Sequence, residues 1–192
     1  WGLRNRLDRV LPGLPKGTGS VMSAIDHGYF MGPTSGLEDP QKTIVPLLPH
    51  ADSLMLSRGI LQNSIPKRTN IPIVLRVSSG NSILNEDLSN EKLCVSIEDA
   101  IRLNASAVAF SIYIGGAYEH QTIVEFSKLV NDAHRYGIPV LAVTAVGKDM
   151  NRDLRYLSLA SRIAVELGAD IVKTYYCDGF NELIAACPVP VV

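Results

Sequence analysis

Lys173 is the residue whose surroundings most strongly suggest chemistry, because it interrupts an apolar segment. The stretch IVKTYY has the β-branched and aromatic composition of a buried strand. Burial lowers the pKa of an ammonium group, and a partly neutral amine can attack a ketone to form an iminium. That iminium draws electrons from the adjacent carbon–carbon bond as the bond breaks. The same position also suits a structural lysine that pairs with an acid or extends to solvent, and the residues alone leave both interpretations open.

Asp26 and His27 end an earlier apolar segment, VMSAIDHG. Strand alternation places Asp26 on the same face as Met22 and Ala24. A carboxylate there could hold Lys173 and act as acid or base, and histidine is suited to proton transfer near neutral pH. The structural alternative is an Asx turn at Asp26 and a packed His27.

Further polar residues follow apolar segments and are candidates for substrate contacts. They are Arg58, Arg76, Tyr118, His120, Lys148 and Tyr175. Lys148 could meet a phosphate as a point charge, although each of these residues also suits a solvated loop or the start of a helix. The 4 histidines show no H-E-x-x-H spacing, so we predict no metal site.

Short apolar segments followed by turn residues recur along the chain and indicate the elements that would position these side chains. They begin at Val21, Ala51, Ile71, Ala107, Ile138 and Ala169. Their near-continuous apolarity predicts strands buried on both faces of a parallel sheet.

Helical patterns lie between several of these segments. The predicted helices are one before Gly137, one from Asp153 to Gly168, one that a capping box at Ser96 opens and that ends near Leu103, and a shorter one from Asp178 to Ala186. Successive strand–helix units predict right-handed parallel crossovers, in either an open doubly wound sheet or a closed barrel.

The turn after the first strand decides between these two architectures. A doubly wound nucleotide-binding fold would show G-x-G-x-x-G there, but the sequence reads DHGY. We therefore predict an α/β fold, a (β/α)8 TIM barrel, formed by residues 1–192 as a single domain, with residues 1–20 preceding the first strand. A seventh strand begins at Pro188, so we expect the chain to cover the barrel through about strand 7 and to end before strand 8.

Composition limits the classes of partner. The chain has 192 residues, 46% of them hydrophobic, and a net charge of −1 with no long basic run, which predicts small-molecule partners rather than nucleic acid or membrane. No apolar run approaches the roughly 18 residues of a membrane helix. The 3 cysteines show no C-x-x-C spacing and predict reduced thiols, as in a cytoplasmic protein.

Several strings together resemble the DhnA-type class I aldolases over essentially the whole chain: IDHGYFMGPTSGLE, YIGGAYEHQ, VGKDMNRDLRYLSLA, IVKTYY and CPVPVV. Within that family the resemblance is to thiolases that process phosphorylated breakdown products of autoinducer-2, a quorum-sensing signal. It implies acetyl transfer from 3-hydroxy-5-phosphonooxypentane-2,4-dione to coenzyme A, giving dihydroxyacetone phosphate and acetyl-CoA. Lys173 falls on the family's Schiff-base lysine, and Asp26 and His27 fall on its first-strand pair.

The resemblance also implies that coenzyme A is a cosubstrate, that there is no other cofactor, and that the protein is a homo-oligomer, by analogy a decamer. Archaeal-type fructose-bisphosphate aldolases of the same superfamily carry a tyrosine proton donor at the end of the fifth strand, where this chain reads TAVGKD. The difference favours the thiolase over a class I aldolase acting on a ketose phosphate. A non-catalytic sugar-phosphate binding barrel is the third alternative. The family's phosphate-binding turns follow strands seven and eight, beyond Val192.

Overall fold

Parallel strands form the main sheet of the computed structural model, which describes residues 1–145 and 152–192. In sheet order within these ranges they are β1 (Met22–Ala24), β2 (Ser53–Ser57), β3 (Ile73–Arg76), β6 (Ala107–Ile112), β7 (Val140–Thr144) and β8 (Ile171–Lys173). A short antiparallel ribbon, β4 (Ser78–Ser79) and β5 (Lys92–Leu93), lies between β3 and β6 in sequence. The composition pattern did not predict this ribbon.

The sheet is an incomplete barrel, as predicted. Every neighbouring pair of its strands is parallel, and the strands follow one another in chain order. An isolated parallel bridge joins Val172 to Val191, where the seventh strand was predicted to begin. The α/β barrel through about strand 7 is therefore confirmed.

The α-helices connect most of the strands, and several of them pack on the outer face of the sheet. Within the described residues they are α1 (Gly2–Val10), α2 (Gly28–Met31), α3 (Pro40–Ile44), α4 (Arg58–Ser64), α5 (Ile97–Arg102), α6 (Glu119–Arg135), α7 (Leu154–Glu166) and α8 (Phe180–Ala186). The four predicted helices correspond to α5, α6, α7 and α8, with ends that differ by up to two residues.

Local sequence explains where α5 and α7 begin and where α6 ends. The Ser96 hydroxyl accepts a hydrogen bond from the amide of Asp99 at 3.2 Å, so the predicted cap opens α5. Asp153 caps α7 in the same way by accepting from the amide of Tyr156 at 2.8 Å. After α6, Gly137 takes a φ of 63°, the left-handed conformation that lets the chain leave the helix towards β7.

The two faces of the sheet have different environments. The outer face packs against the helices, with Leu54, Leu75 and Phe110 in the main core. The inner face is apolar at the amino-terminal ends of the strands, where Leu7 and Val10 of α1 pack into the barrel interior. Residues 1–20, predicted only to precede the first strand, therefore close that end. The charged inward side chains of Asp26 and Arg76 lie at the opposite, carboxyl ends.

Two features are absent from residues 1–145 and 152–192. No helix there is long and apolar enough to cross a membrane. No group of three or more His, Cys, Asp and Glu side chains there is placed to hold a metal ion. The cytoplasmic location stays a prediction.

Candidate active site

Lys173 is the last residue of β8 and lies on the same face of the strand as Ile171, which packs in the barrel interior. Its side chain is partly buried. Burial is the main cause of a lowered pKa of the amine; the carboxylate of Asp26 acts to raise that pKa and the guanidinium of Arg76 acts to lower it. The net direction increases the neutral fraction of the amine, which is the nucleophilic form.

Asp26 follows β1 and is buried, with 5% of its surface exposed. Its Oδ2 atom accepts a hydrogen bond from Nε of Arg76 at 2.8 Å, in an ion pair that is nearly closed to solvent. The strand alternation therefore predicted the inward direction of Asp26 correctly. The sequence did not distinguish Arg76 from the other arginines at strand ends.

Arg76 is held on several sides. Its Nη1 atom donates to the hydroxyl of Ser111 at 2.5 Å and to that of Ser78 at 3.2 Å. Its guanidinium also lies over the ring of Tyr29, 4.7 Å from the ring centre, in cation–π geometry. These contacts fix the position from which Arg76 meets Asp26.

A second buried carboxylate, Glu91, lies behind Arg76 with only 2% of its surface exposed. Its oxygens accept hydrogen bonds from the hydroxyls of Ser78 at 2.6 Å, Tyr29 at 2.5 Å and Tyr113 at 3.2 Å. Burial raises the pKa of both phenols and the nearby Glu91 charge raises it further, while Arg76 opposes the rise, so both tyrosines stay protonated donors. Sequence reasoning missed Glu91 and both tyrosines.

The other predicted residues lie outside this buried group. His27 is exposed at the start of α2. Arg58, at the end of β2, is exposed and pairs with Asp99 of α5 at 3.2 Å rather than with the Lys173 group. Tyr118 and His120 are exposed at the start of α6.

Two predicted residues remain. Tyr175, two residues after Lys173, is half-buried, and the guanidinium of Arg152 lies 3.8 Å from the centre of its ring. Lys148 lies outside the described residues. The structure thus brings Lys173, Asp26 and Arg76 together, and it leaves Arg58, Tyr118, His120 and Tyr175 outside this buried group.

A partly buried amine of lowered pKa, near a carboxylate at the carboxyl end of a parallel barrel strand, has the arrangement expected of the class I, Schiff-base-forming aldolases. The model of the DeoC/LacD family aldolases matches residues 20–192. The chain belongs to this family, which confirms the predicted resemblance to class I aldolases.

Named relatives refine the comparison. The chain is 56% identical, over 193 aligned positions, to a 3-hydroxy-5-phosphonooxypentane-2,4-dione thiolase of Photorhabdus laumondii, an alignment that covers 100% of this chain and 65% of that protein. A thiolase of the same name from an Enterobacter species is 56% identical over 100% of this chain and 64% of its own length. Another, from Escherichia coli O139:H28, is 54% identical over 100% of this chain and 65% of its own length. The chain thus spans just under two thirds of the length of these relatives.

Solved structures agree with the fold and the class. An archaeal fructose-1,6-bisphosphate aldolase, whose catalytic lysine is covalently bound to the carbinolamine intermediate of its substrate, matches with a TM-score of 0.84 and 26% identity over 99% of this chain and 78% of that one. A second structure of an archaeal fructose 1,6-bisphosphate aldolase matches with a TM-score of 0.83 and 27% identity, over the same shares of the two chains.

Proposed function

We propose that this enzyme transfers an acetyl group from 3-hydroxy-5-phosphonooxypentane-2,4-dione to coenzyme A through an iminium at Lys173, as a step in autoinducer-2 degradation. The observation that carries the proposal is the partly buried amine of Lys173, whose pKa is lowered, in a chain similar throughout its length to thiolases of that name. The products are dihydroxyacetone phosphate and acetyl-CoA.

The proposed reaction balances with the amine as the only covalent catalyst. Lys173 condenses with the C4 ketone of the substrate, and water leaves to give the iminium. The thiolate of coenzyme A adds to the C2 carbonyl, and the C2–C3 bond breaks as its electron pair flows into the iminium to give an enamine. Protonation at C3 and hydrolysis by water then release dihydroxyacetone phosphate and restore the amine.

Asp26 and His27 carry the protons in this proposal. Asp26 is buried and close enough to influence the pKa of Lys173, so it accepts and returns protons near the reacting nitrogen. His27 follows it in sequence and is exposed, so it exchanges protons with solvent.

The substrate contacts stay proposals that rest on position. Tyr118 and His120 begin α6 and Tyr175 follows β8, so all three follow strand ends on the rim where barrel enzymes bind their substrates. Lys148 is proposed for the same rim, and Arg58 would contact substrate only after leaving Asp99. Coenzyme A as cosubstrate, assembly into a homo-oligomer such as a decamer, and a cytoplasmic location complete the proposal.

An aldolase acting on a ketose phosphate is the second candidate. The observation that favours it is the similarity to an archaeal aldolase trapped as a covalent lysine adduct. Both candidates form an adduct on Lys173, so they differ in whether carbon–carbon cleavage requires coenzyme A.

Borohydride reduction in the presence of dihydroxyacetone phosphate tests the chemistry common to both candidates. We expect peptide mass spectrometry of the full-length protein to locate the reduced adduct on Lys173. We expect no adduct in the Lys173→Arg variant, because arginine keeps the charge but supplies no nucleophilic amine. A folded, full-length sample that gives no adduct at Lys173 would contradict the proposal, and cleavage of the pentanedione without coenzyme A would favour the aldolase.

A further inference from the structure

The ion pair of Asp26 is made with Arg76 and not with Lys173. The Nε atom of Arg76 lies 2.8 Å from Oδ2 of Asp26. Within the described residues, no carboxylate oxygen lies within 4.0 Å of the Lys173 amine, although Asp26 is close enough to act on that amine electrostatically. The position of Arg76 therefore decides which of the two cations Asp26 contacts.

The hydroxyl of Ser78 links Arg76 to Glu91. Its oxygen accepts hydrogen bonds from Nη1 of Arg76 at 3.2 Å and from the amide of Ser111 at 3.1 Å, and it donates to Oε2 of Glu91 at 2.6 Å. A hydroxyl has one proton to donate. Because Glu91 takes that proton, the lone pairs of Ser78 must face Arg76, so Glu91 sets the direction of this contact.

Glu91 is itself held in place by several hydrogen-bond donors. Besides Ser78, the phenols of Tyr29 and Tyr113 donate to its carboxylate. Nε2 of Gln121 donates to its backbone carbonyl at 3.0 Å. A buried carboxylate is costly unless donors satisfy it, and the three hydroxyl donors to this carboxylate lie in β4, in α2 and next to β6. Most of these groups have no part in the proposed reaction.

We propose that Glu91 is a positioning residue which, through the hydroxyl of Ser78, holds Arg76 against Asp26 and so keeps the Asp26 carboxylate from pairing with the amine of Lys173. The proposal deepens the proposed function, because it rests on iminium formation at Lys173. If Arg76 withdrew, Asp26 would be free to pair directly with Lys173, and a direct pair favours the protonated amine.

The pH dependence of adduct formation distinguishes positioning from a simple charge effect. Asp26 and Arg76 are the charged groups that act on Lys173 among the described residues, whereas Arg76, Tyr29 and Tyr113 surround Glu91. Removing a distant negative charge would by itself lower the pKa of Lys173 and move the pH profile towards acid. Release of Asp26 towards Lys173 moves the profile towards alkali.

The experiment measures the rate of borohydride trapping with dihydroxyacetone phosphate against pH in the full-length protein. The hydroxyls of Ser78, Tyr29 and Tyr113 donate to the two carboxylate oxygens of Glu91. The amide of Glu91→Gln has a single oxygen with two lone pairs, so at least one of the three hydroxyls loses its acceptor. We expect the midpoint to move by about one pH unit towards alkali, which is about tenfold slower trapping at neutral pH. Ser78→Ala removes the link itself and should move the midpoint in the same direction.

Two controls isolate the link. Tyr113→Phe removes one hydrogen bond to Glu91, but the hydroxyls of Tyr29 and Ser78 still hold the carboxylate. Glu98→Gln removes an exposed carboxylate of α5. Neither change should move the midpoint. An unchanged or acid-shifted midpoint in Glu91→Gln and Ser78→Ala would overturn the proposal. If Glu91→Gln fails to fold, Ser78→Ala decides alone. Absence of any adduct in the unmodified protein would instead refute the proposed function.

Discussion

Replacing Asp26 with asparagine would leave the guanidinium of Arg76 buried without its ion-pair partner. The two side chains are 6% and 7% exposed and meet at 2.8 Å, so solvent cannot take the place of the lost carboxylate. Breaking a buried pair by removing one partner destabilises a protein by about 3–5 kcal/mol. Arg76 keeps its bonds to Ser78 and Ser111, so we expect the lower end, about 3 kcal/mol.

Urea unfolding followed by circular dichroism at pH 7 measures this change in the free energy of unfolding. Glu166→Gln in α7 is the matched control, because it removes a carboxylate from an ion pair with Arg162 whose side chains are 64% and 62% exposed. We expect that change to cost less than about 1 kcal/mol. Equal effects of the two substitutions would refute the argument that burial of the Asp26–Arg76 pair determines its contribution.

Three further substitutions test other parts of the structure. Lys173→Met should abolish borohydride trapping and raise the free energy of unfolding at neutral pH. Burial lowers the pKa of the amine, so the unfolded chain binds a proton there more readily than the folded protein does. In thermal melts, the gain in stability should therefore shrink as the pH rises towards about 10. Ser161→Ala should stabilise α7 by about 1 kcal/mol in urea titrations, because that hydroxyl is buried without a hydrogen-bond partner among the described residues; a loss of stability would contradict this. Leu7→Ala should cost about 3 kcal/mol in the same titrations if α1 closes the barrel interior, and a neutral effect would show that it does not.

The strands of the main sheet and helices α5 to α8 could be predicted because their signals are local. A parallel strand buried on both faces is apolar along its length, and α5 begins at a serine whose hydroxyl caps the helix three residues on. The inward direction of Asp26 follows from strand alternation in the same way. Lys173 stood out because a charge inside an apolar segment is visible without knowledge of the fold.

Glu91 could not be found by such reasoning. It lies in the polar stretch NEDLSNEK, where nothing separates it from exposed acids such as Glu86. Its burial depends on the β4–β5 ribbon, which pairs Ser79 with Lys92, and on a contact with Tyr29 that spans 62 positions of sequence. Arg58 shows the converse: it follows a strand end, yet it pairs with Asp99 on a neighbouring helix.

The two ends of the barrel interior differ in the side chains that fill them. The amino-terminal end is filled by apolar side chains, including Leu7 and Val10 of α1, and each buried aliphatic side chain of this kind contributes about 1.5–3 kcal/mol. The carboxyl end holds Asp26, Arg76 and Glu91, whose burial is costly and whose mutual contacts offset that cost. Apolar packing alone would not make such an arrangement necessary. The chemistry proposed for Lys173 does, because it needs a partly buried amine whose charged neighbours are close and already engaged with one another.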